Sequence, residues 1–428
     1  MTSDEATDNT SINFWNPGSG SKMLSLRGPP AYLSSLSPIS DEGFAVIETG
    51  KPFIHFWQAG YPLQTSRRIL CPGRPCSVSV HPNGTYFAVA IEEKLSIWQV
   101  GSGRIVAAFN SAHFRPISCL KFNSNGSYLV SAGQDGMVNA WNFLQIVSGA
   151  VSSPTYVWSD HSLPVTGLKI DTGGHKANVY TSSLDRTCKI YSLATGTLLL
   201  SVSFPVPLTA VTVESGGRSM YLGGKSGAIY KIMLDSPPRS LEHHVLSDES
   251  ADFLFKGHTS AITCLSLTAD GKTLASGDEE GNIFAWDVTS QQCIRTIQKA
   301  QTSADGTNKV NRVTNIMFWM GDPESLKGAK KPTICFPEVP KLLEAQDDAE
   351  NPVVRIWTRN RLDEDNRNLK DDSKSSLLAE ISKLRVELAK NEVINRRLHQ
   401  FCTENILGLQ DDFQSTPKKR KSKQTDGQ

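Results

Sequence analysis

Ser276, Glu280 and His258 bring a hydroxyl, a carboxylate and an imidazole into one region, SGDEEGNIFAWD with GHTSAITCLSL upstream of it. A carboxylate that orients an imidazole, which then takes a proton from a hydroxyl, is the relay of serine-type acyl transfer. The same set recurs as His113, Ser131 and Asp135, and again as His161, Thr181 and Asp185. In all three the hydroxyl stands 4 places before the acid, the His 22 to 24 places before it, and an aromatic residue, Trp141, Tyr191 or Trp286, 6 places after it. An active site needs one copy in a cleft, whereas recurrence at fixed spacing is the mark of a repeated unit. Buried polar side chains that pair with one another escape a cost of about 1–3 kcal/mol each. The twelve residues are therefore read as three structural networks, and no catalytic residue is assigned.

The units that position these residues read as short strands. Alternating runs such as YLVSAG, TLASGD and NIFAWDV are separated by turn sequences such as NSNGSY and TADGKT. In a blade of four antiparallel strands, a to d, the His lies near the outer strand and the hydroxyl on strand b. The acid then lies in the b–c turn and the aromatic at the end of strand c. This pattern resembles the WD-repeat β-propeller, whose blades open on Gly-His and end on Trp-Asp about 40–45 residues apart. Gly257-His258 to Trp286-Asp287 carries the full signature, and weaker copies end at Trp57, Trp98 and Trp357. Counting Trp57, Trp98, Trp141, Tyr191, Ile232, Trp286 and Trp357 predicts an all-β, seven-bladed propeller. In YLGGKSGAIYKIML, Ile232 takes the aromatic position and Ser226 the acid position, so that blade should lack the network. KMLSLRG is expected to supply the outer strand of the last blade, joining the first and last residues of the ring and leaving no open edge. Trp15 has an alternative place at the start of an eighth blade.

The expected organisation is a disordered stretch over 1–10 and a propeller over 11–358, with polar loop insertions near 235–252 and 321–352. A charged linker over 359–374, an amphipathic coiled-coil helix over 375–408 and a disordered basic tail over 409–428 follow. Lys and Arg total 44 against 43 Asp and Glu, so there is no bulk positive field of the kind that drives non-specific nucleic-acid binding. The 8 Cys lie scattered, with no C-x-x-C pair, and read as thiols in a reducing compartment. The polar N-terminus is unlike a secretory signal, and no apolar run is long enough to span a bilayer, so no membrane role is expected. GGKSG at Gly223 to Gly227 has Ser219 where a phosphate-binding loop needs Gly, and a strand rather than a helix follows. His243-His244 has no further ligand at useful spacing, so neither a metal nor a cofactor is expected.

In the C-terminal segment Leu377, Ile381, Leu384 and Leu388 step by heptads, and Asn395 and Leu398 continue the phase. The spacing predicts a self-associating coiled coil, with a helix docked on the propeller as the alternative. Ile394, Leu398 and Phe401 form a second apolar strip open to another protein. Beyond it, Lys418, Lys419, Arg420 and Lys421 after Pro417 have the form of a nuclear import signal.

From SSLDRTCKIYSLATGTLLLSVSFPVPLTAV through GGKSGAIYKI, FKGHTSAITCLSL, WDVTSQQCIRTI and RVTNIMF to LRVELAKNEVINRRLHQF, the chain is similar to the WD-repeat subunit of the Rix complex. The resemblance implies a non-catalytic scaffold of the nucleoplasm and nucleolus, acting in pre-rRNA processing and in maturation and export of the large (60S) subunit. It implies helical-repeat partner subunits, the AAA ATPase midasin and pre-60S particles as partners, and two copies paired through the C-terminal helix. The rival class is the propeller substrate receptor of a cullin ubiquitin ligase. Such receptors carry Asp-x-Arg after the strand-c Trp, where this chain has Asp287-Val288-Thr289 and Thr358-Arg359-Asn360. A third class, an enzyme built in the propeller channel, would need acids or His converging on the axis.

Overall fold

The computed structural model describes residues 2–4, 12–26, 30–40, 43–58, 67–100, 102–149, 153–235, 241–245, 254–297 and 312–318. Trp357, the insertion near 321–352, the linker, the heptad positions from Leu377 to Leu398 and the basic run from Lys418 to Lys421 lie outside the described residues.

Short alternating segments joined by Gly-containing turns form antiparallel meanders, and seven such sheets stand in a ring. Blade one comprises Ser37–Ser40, Gly43–Ile47, Phe53–Gln58 and Arg67–Leu70; blade two comprises Pro75–Val80, Tyr86–Ile91, Lys94–Gln99 and Ile105–Phe109. Blade three is Ile117–Phe122, Tyr128–Gly133, Val138–Asn142 and Tyr156–Trp158, with a short helix, Phe143–Val147, between its last two strands. Blade four is Val165–Ile170, Asn178–Ser183, Thr187–Ser192 and Leu198–Ser203, and blade five is Leu208–Val213, Ser219–Gly224, Ile229–Met233 and Leu254–Phe255. Blade six is Ile262–Leu267, Thr273–Asp278, Ile283–Asp287 and Cys293–Ile297.

Blade seven closes the ring and departs from the sequence expectation. Its inner strand is Val313–Ile316, but the other three come from the N-terminus: Thr2–Asp4, Ile12–Trp15 and Lys22–Leu26. Lys22–Leu26 is the outermost of them, and Trp15 ends strand c of this blade rather than starting an eighth. Thr2–Asp4 is a strand although residues 1–10 were expected to be disordered; it has no apolar residue, and three residues are too few to display alternation. Its pairing comes instead from long range: Thr2 and Ser3 face Ile316 and Asn315, and the Ser3 and Thr314 hydroxyls lie 2.9 Å apart.

The insertion after Leu234 also differs from a plain loop. Glu242–His244 runs parallel to Leu198–Ser203 as a fifth strand of blade four. An unpaired outer strand exposes backbone N–H and C=O groups, and this passing segment satisfies some of them: Ser201 N donates to Leu241 O, and Val245 N to Ser203 O.

The core lies between neighbouring sheets. Ile47, Ile54 and Phe56 of blade one pack with Val78, Phe87 and Trp98 of blade two, and Tyr221 and Phe255 of blade five with Ile262 and Trp286 of blade six. The inner strands are too splayed to share a ladder, and side chains bridge them instead. Ser118 Oγ donates to Val165 O at 2.5 Å, Thr166 Oγ1 to Leu208 O at 2.9 Å, and Thr263 Oγ1 to Val313 O at 2.6 Å. Ser37, Ser77 and Ser79 accept from the Val80, Leu120 and Phe122 amides, and Asn315 accepts from the Leu36 amide across the closure.

Candidate functional site

In blade three the side chains of strands b and c meet the loop that enters strand a. His113 Nδ1 lies 3.2 Å from both Asp135 oxygens and His113 Nε2 lies 2.8 Å from Ser131 Oγ, while Trp141 Nε1 donates to the same Oγ at 3.1 Å. The partners fix the tautomer. The acceptor-only Asp135 carboxylate takes the proton on Nδ1, which leaves Nε2 to accept from the Ser131 hydroxyl, while that oxygen accepts in turn from Trp141. Burial alone would push the Asp135 carboxyl up. Hydrogen bonds from His113 and from the Phe114 and Met137 amides outweigh it and hold the group below the usual carboxylate range.

Blade six repeats the geometry from a different residue. His258 Nδ1 is 2.9 Å from Asp278 Oδ2, His258 Nε2 is 2.6 Å from Ser276 Oγ, and Trp286 Nε1 donates to that Oγ at 2.8 Å. Glu280, which matched the spacing of the other acids, is not part of this network; it accepts from the Thr259 hydroxyl at the surface. The reason is spatial. Strand register places Asp278 where blade three has Gly133, and a Cβ on Gly133 would fall 2.3 Å from Asp135 Oδ1 and 2.6 Å from His113 Nδ1. Gly133 vacates the space that the Asp135 carboxylate enters from the turn, whereas Asp278 fills that space from the strand itself. Burial raises Asp278, and hydrogen bonds from His258 and Asn282 bring it below its usual range.

In blade four His161 Nδ1 is 2.9 Å from Asp185 Oδ2 and Nε2 is 2.8 Å from Thr181 Oγ1. Tyr191 carries no indole N–H and does not join. Thr181 instead faces the Lys189 carbonyl at 3.2 Å, while Tyr191 stacks on Trp158 at 4.5 Å. Asp185 is raised by burial but more strongly lowered by hydrogen bonds from His161 and Thr187.

The other blades hold fragments of the arrangement. Trp15 Nε1 donates to Thr2 Oγ1 at 3.0 Å in blade seven, across the same diagonal of strands b and c as Trp141 and Ser131. In blade two Val89 takes the hydroxyl position, and Trp98 Nε1 is buried without an acceptor. Blade five has Leu222 there and Ile232 at the aromatic position, an apolar pair. Blade one carries a cluster the spacing did not reveal: Glu48 meets His55 Nε2 at 3.0 Å and Lys51 Nζ at 2.8 Å. Glu48 and His55 flank the Thr-Gly-Lys-Pro turn on a diagonal of one hairpin face, which is the signal that marks them.

Acid, imidazole and hydroxyl thus stand in the order of a nucleophilic relay, but the relay is sealed. Ser131, Thr181 and Ser276 are each 0% exposed, and no reacting carbonyl can approach their oxygens. The other buried nucleophiles are no better placed: burial pushes the thiols of Cys71, Cys188 and Cys264 up to about 12. No cluster of His, Cys, Asp and Glu fit to hold a metal ion occurs among the described residues. His244 contacts the Ser203 hydroxyl, and Gly223 to Gly227 spans a strand end and a hairpin turn with Gly227 at φ +84°.

The profile of the WD domain, G-beta repeat family matches residues 103–142, 152–192 and 251–287, the stretches that hold the three His–acid–hydroxyl networks. The chain is similar to WD repeat-containing protein 18 of Rattus norvegicus, 33% identical over 82% of this chain and 81% of the relative. It is 32% identical to WD repeat-containing protein 18 of Mus musculus over 97% of this chain and 93% of the relative. Pre-rRNA-processing protein pro-1 of Caenorhabditis elegans is 25% identical over 74% of this chain and 61% of its own length. Identity above 30% across most of both chains, on a seven-bladed frame, makes this chain a member of the WD repeat-containing protein 18 family.

Proposed function

We propose that this chain is a non-catalytic scaffold in pre-rRNA processing within the nucleus. The observation that carries the reading is its similarity to the Caenorhabditis elegans relative, whose name states that process, together with buried networks that offer no substrate access. More finely, it acts as the propeller subunit of a Rix-type complex, linking helical-repeat subunits and the AAA ATPase midasin to pre-60S particles in the nucleoplasm and nucleolus. In this reading the C-terminal heptads pair two copies, and the run from Lys418 to Lys421 directs import. The test is gentle purification of the tagged full chain from cells, with identification of co-purifying proteins and RNA, beside depletion of the endogenous protein. Recovery of helical-repeat subunits, midasin and large-subunit rRNA precursors, with precursors accumulating on depletion, is the expected result. A cullin adaptor in the eluate, with normal rRNA processing after depletion, overturns it.

A further inference from the structure

The end of strand b, the start of strand c, the end of strand d and the start of strand a all lie on one rim of an antiparallel blade. Across blades three to five that rim is continuous. The Phe114 amide donates to Asp135 in the blade-three turn at 2.9 Å. A Cβ on Gly136 of that turn would fall 2.4 Å from the His161 carbonyl oxygen and 3.4 Å from that of Leu163, so the turn presses on the blade-four loop. The Leu184 amide then donates to Pro164 O, the Phe204 amide to Arg186 O at 2.8 Å, and the Lys225 amide to Pro207 O at 2.9 Å.

Apolar and cationic side chains share this arc. Phe114 is 86% exposed and Leu163 48% exposed, and Arg115, Arg186 and Lys225 stand exposed beside them. None of the three cations makes an ion pair among the described residues. Asp135 and Asp185 are drawn inward by His113 and His161, so among the described residues of these turns Asp160 is the remaining acid beside three cations. On the flanks, Glu92 and Glu93 stand beside exposed Lys94 in the blade-two turn, and Glu280 stands beside Glu279, which pairs with Arg312, in that of blade six.

We propose that this arc is a docking surface for an extended acidic segment of a partner protein that carries an apolar anchor residue. Exposed aromatic and Arg side chains in one patch are the composition of interface anchors. Carboxylates of the segment pair with Arg115, Arg186 and Lys225 while its anchor covers Phe114 and Leu163. A nucleic acid fits less well. The cations are separated by apolar loops rather than aligned in a phosphate track, and Glu92 and Glu93 border the arc. The surface does not depend on which assembly the scaffold serves, so this inference stands apart from the rRNA reading.

The test places the photoreactive residue p-benzoylphenylalanine at Phe114 of the full chain in cells, with irradiation, denaturing purification and mass spectrometry of the adducts. Adducts to protein segments in which Asp and Glu outnumber Lys and Arg, attached at an apolar residue, are expected. Their yield is expected to fall at least tenfold when Arg115→Glu and Arg186→Glu are added, and to hold when Glu92→Lys and Glu93→Lys are added instead. Arg115, Arg186 and Glu92 are exposed and Glu93 is half-buried, so an unchanged melting curve accompanies each variant. Adducts to RNA, adducts to basic or neutral segments, an absence of adducts, or a yield indifferent to charge reversal would each overturn the proposal.

Discussion

At the scale of single residues, the three buried networks make separable predictions. Asp278 accepts from His258 and twice from Asn282, so Asp278→Asn places an amide hydrogen against a donor and is expected to cost about 1–3 kcal/mol. Glu280→Gln, at the surface, is expected to stay within about 0.5 kcal/mol. Chemical denaturation of both variants measures the difference, and equal effects would contradict the geometry. Asp135, Asp185 and Asp278 all have depressed carboxyl pKa values. The stability they add is therefore present above the ordinary carboxylate pKa of about 4 and is lost as pH falls through their lowered values. Thermal melts on acidification should show that loss, with a shallower decline in Asp278→Asn. Trp98 supplies the converse case. Val89→Thr offers its buried indole the missing acceptor and should change stability by less than about 0.5 kcal/mol, whereas Val130→Thr, in an equally buried site, should cost about 1–2 kcal/mol.

At the scale of strands and turns, closure rests on short elements held by side chains. Arg295 of the outer strand of blade six reaches the carbonyls of Gly18 and Ser19 in the blade-seven turn. Gly20 in that turn sits at φ +68°, and a Cβ there would fall 2.4 Å from Arg295 Cδ. Gly20→Ala is expected to destabilise the protein by about 1 kcal/mol through the backbone and by more through displacement of Arg295. Unfolding of that variant beside Arg295→Ala measures both contributions. Blades three, four and six were legible in the sequence because one network ties strands b and c in fixed register, which fixes the spacing of hydroxyl, acid and aromatic. Glu280 misled that reading because a carboxylate can enter the same space from the strand or from the turn. Thr2–Asp4 and Glu242–His244 were not legible at all. Each is three polar residues whose pairing is decided by an open strand distant in sequence, and no local period encodes that.

At the scale of the whole molecule, the propeller presents its networks inward and its varied chemistry outward, as a scaffold requires. The heptads proposed to pair two copies give a direct test. Leu384→Asp with Leu388→Asp puts two charges in the seam and is expected to convert a dimer to a monomer in sedimentation while leaving the propeller's melting curve unchanged. A monomer before mutation would remove the pairing. The joining of Thr2–Asp4 to Val313–Ile316 also has a consequence during biosynthesis. At roughly 5–20 residues per second, the opening strands leave the ribosome on the order of 15–60 s before their partner does. Through that interval the nascent chain is an arc in which Thr2–Asp4 has a bare strand edge, the kind of surface chaperones hold and aggregates recruit. A message truncated anywhere before the codon for Val313 therefore makes no smaller propeller; it makes an arc that cannot shut.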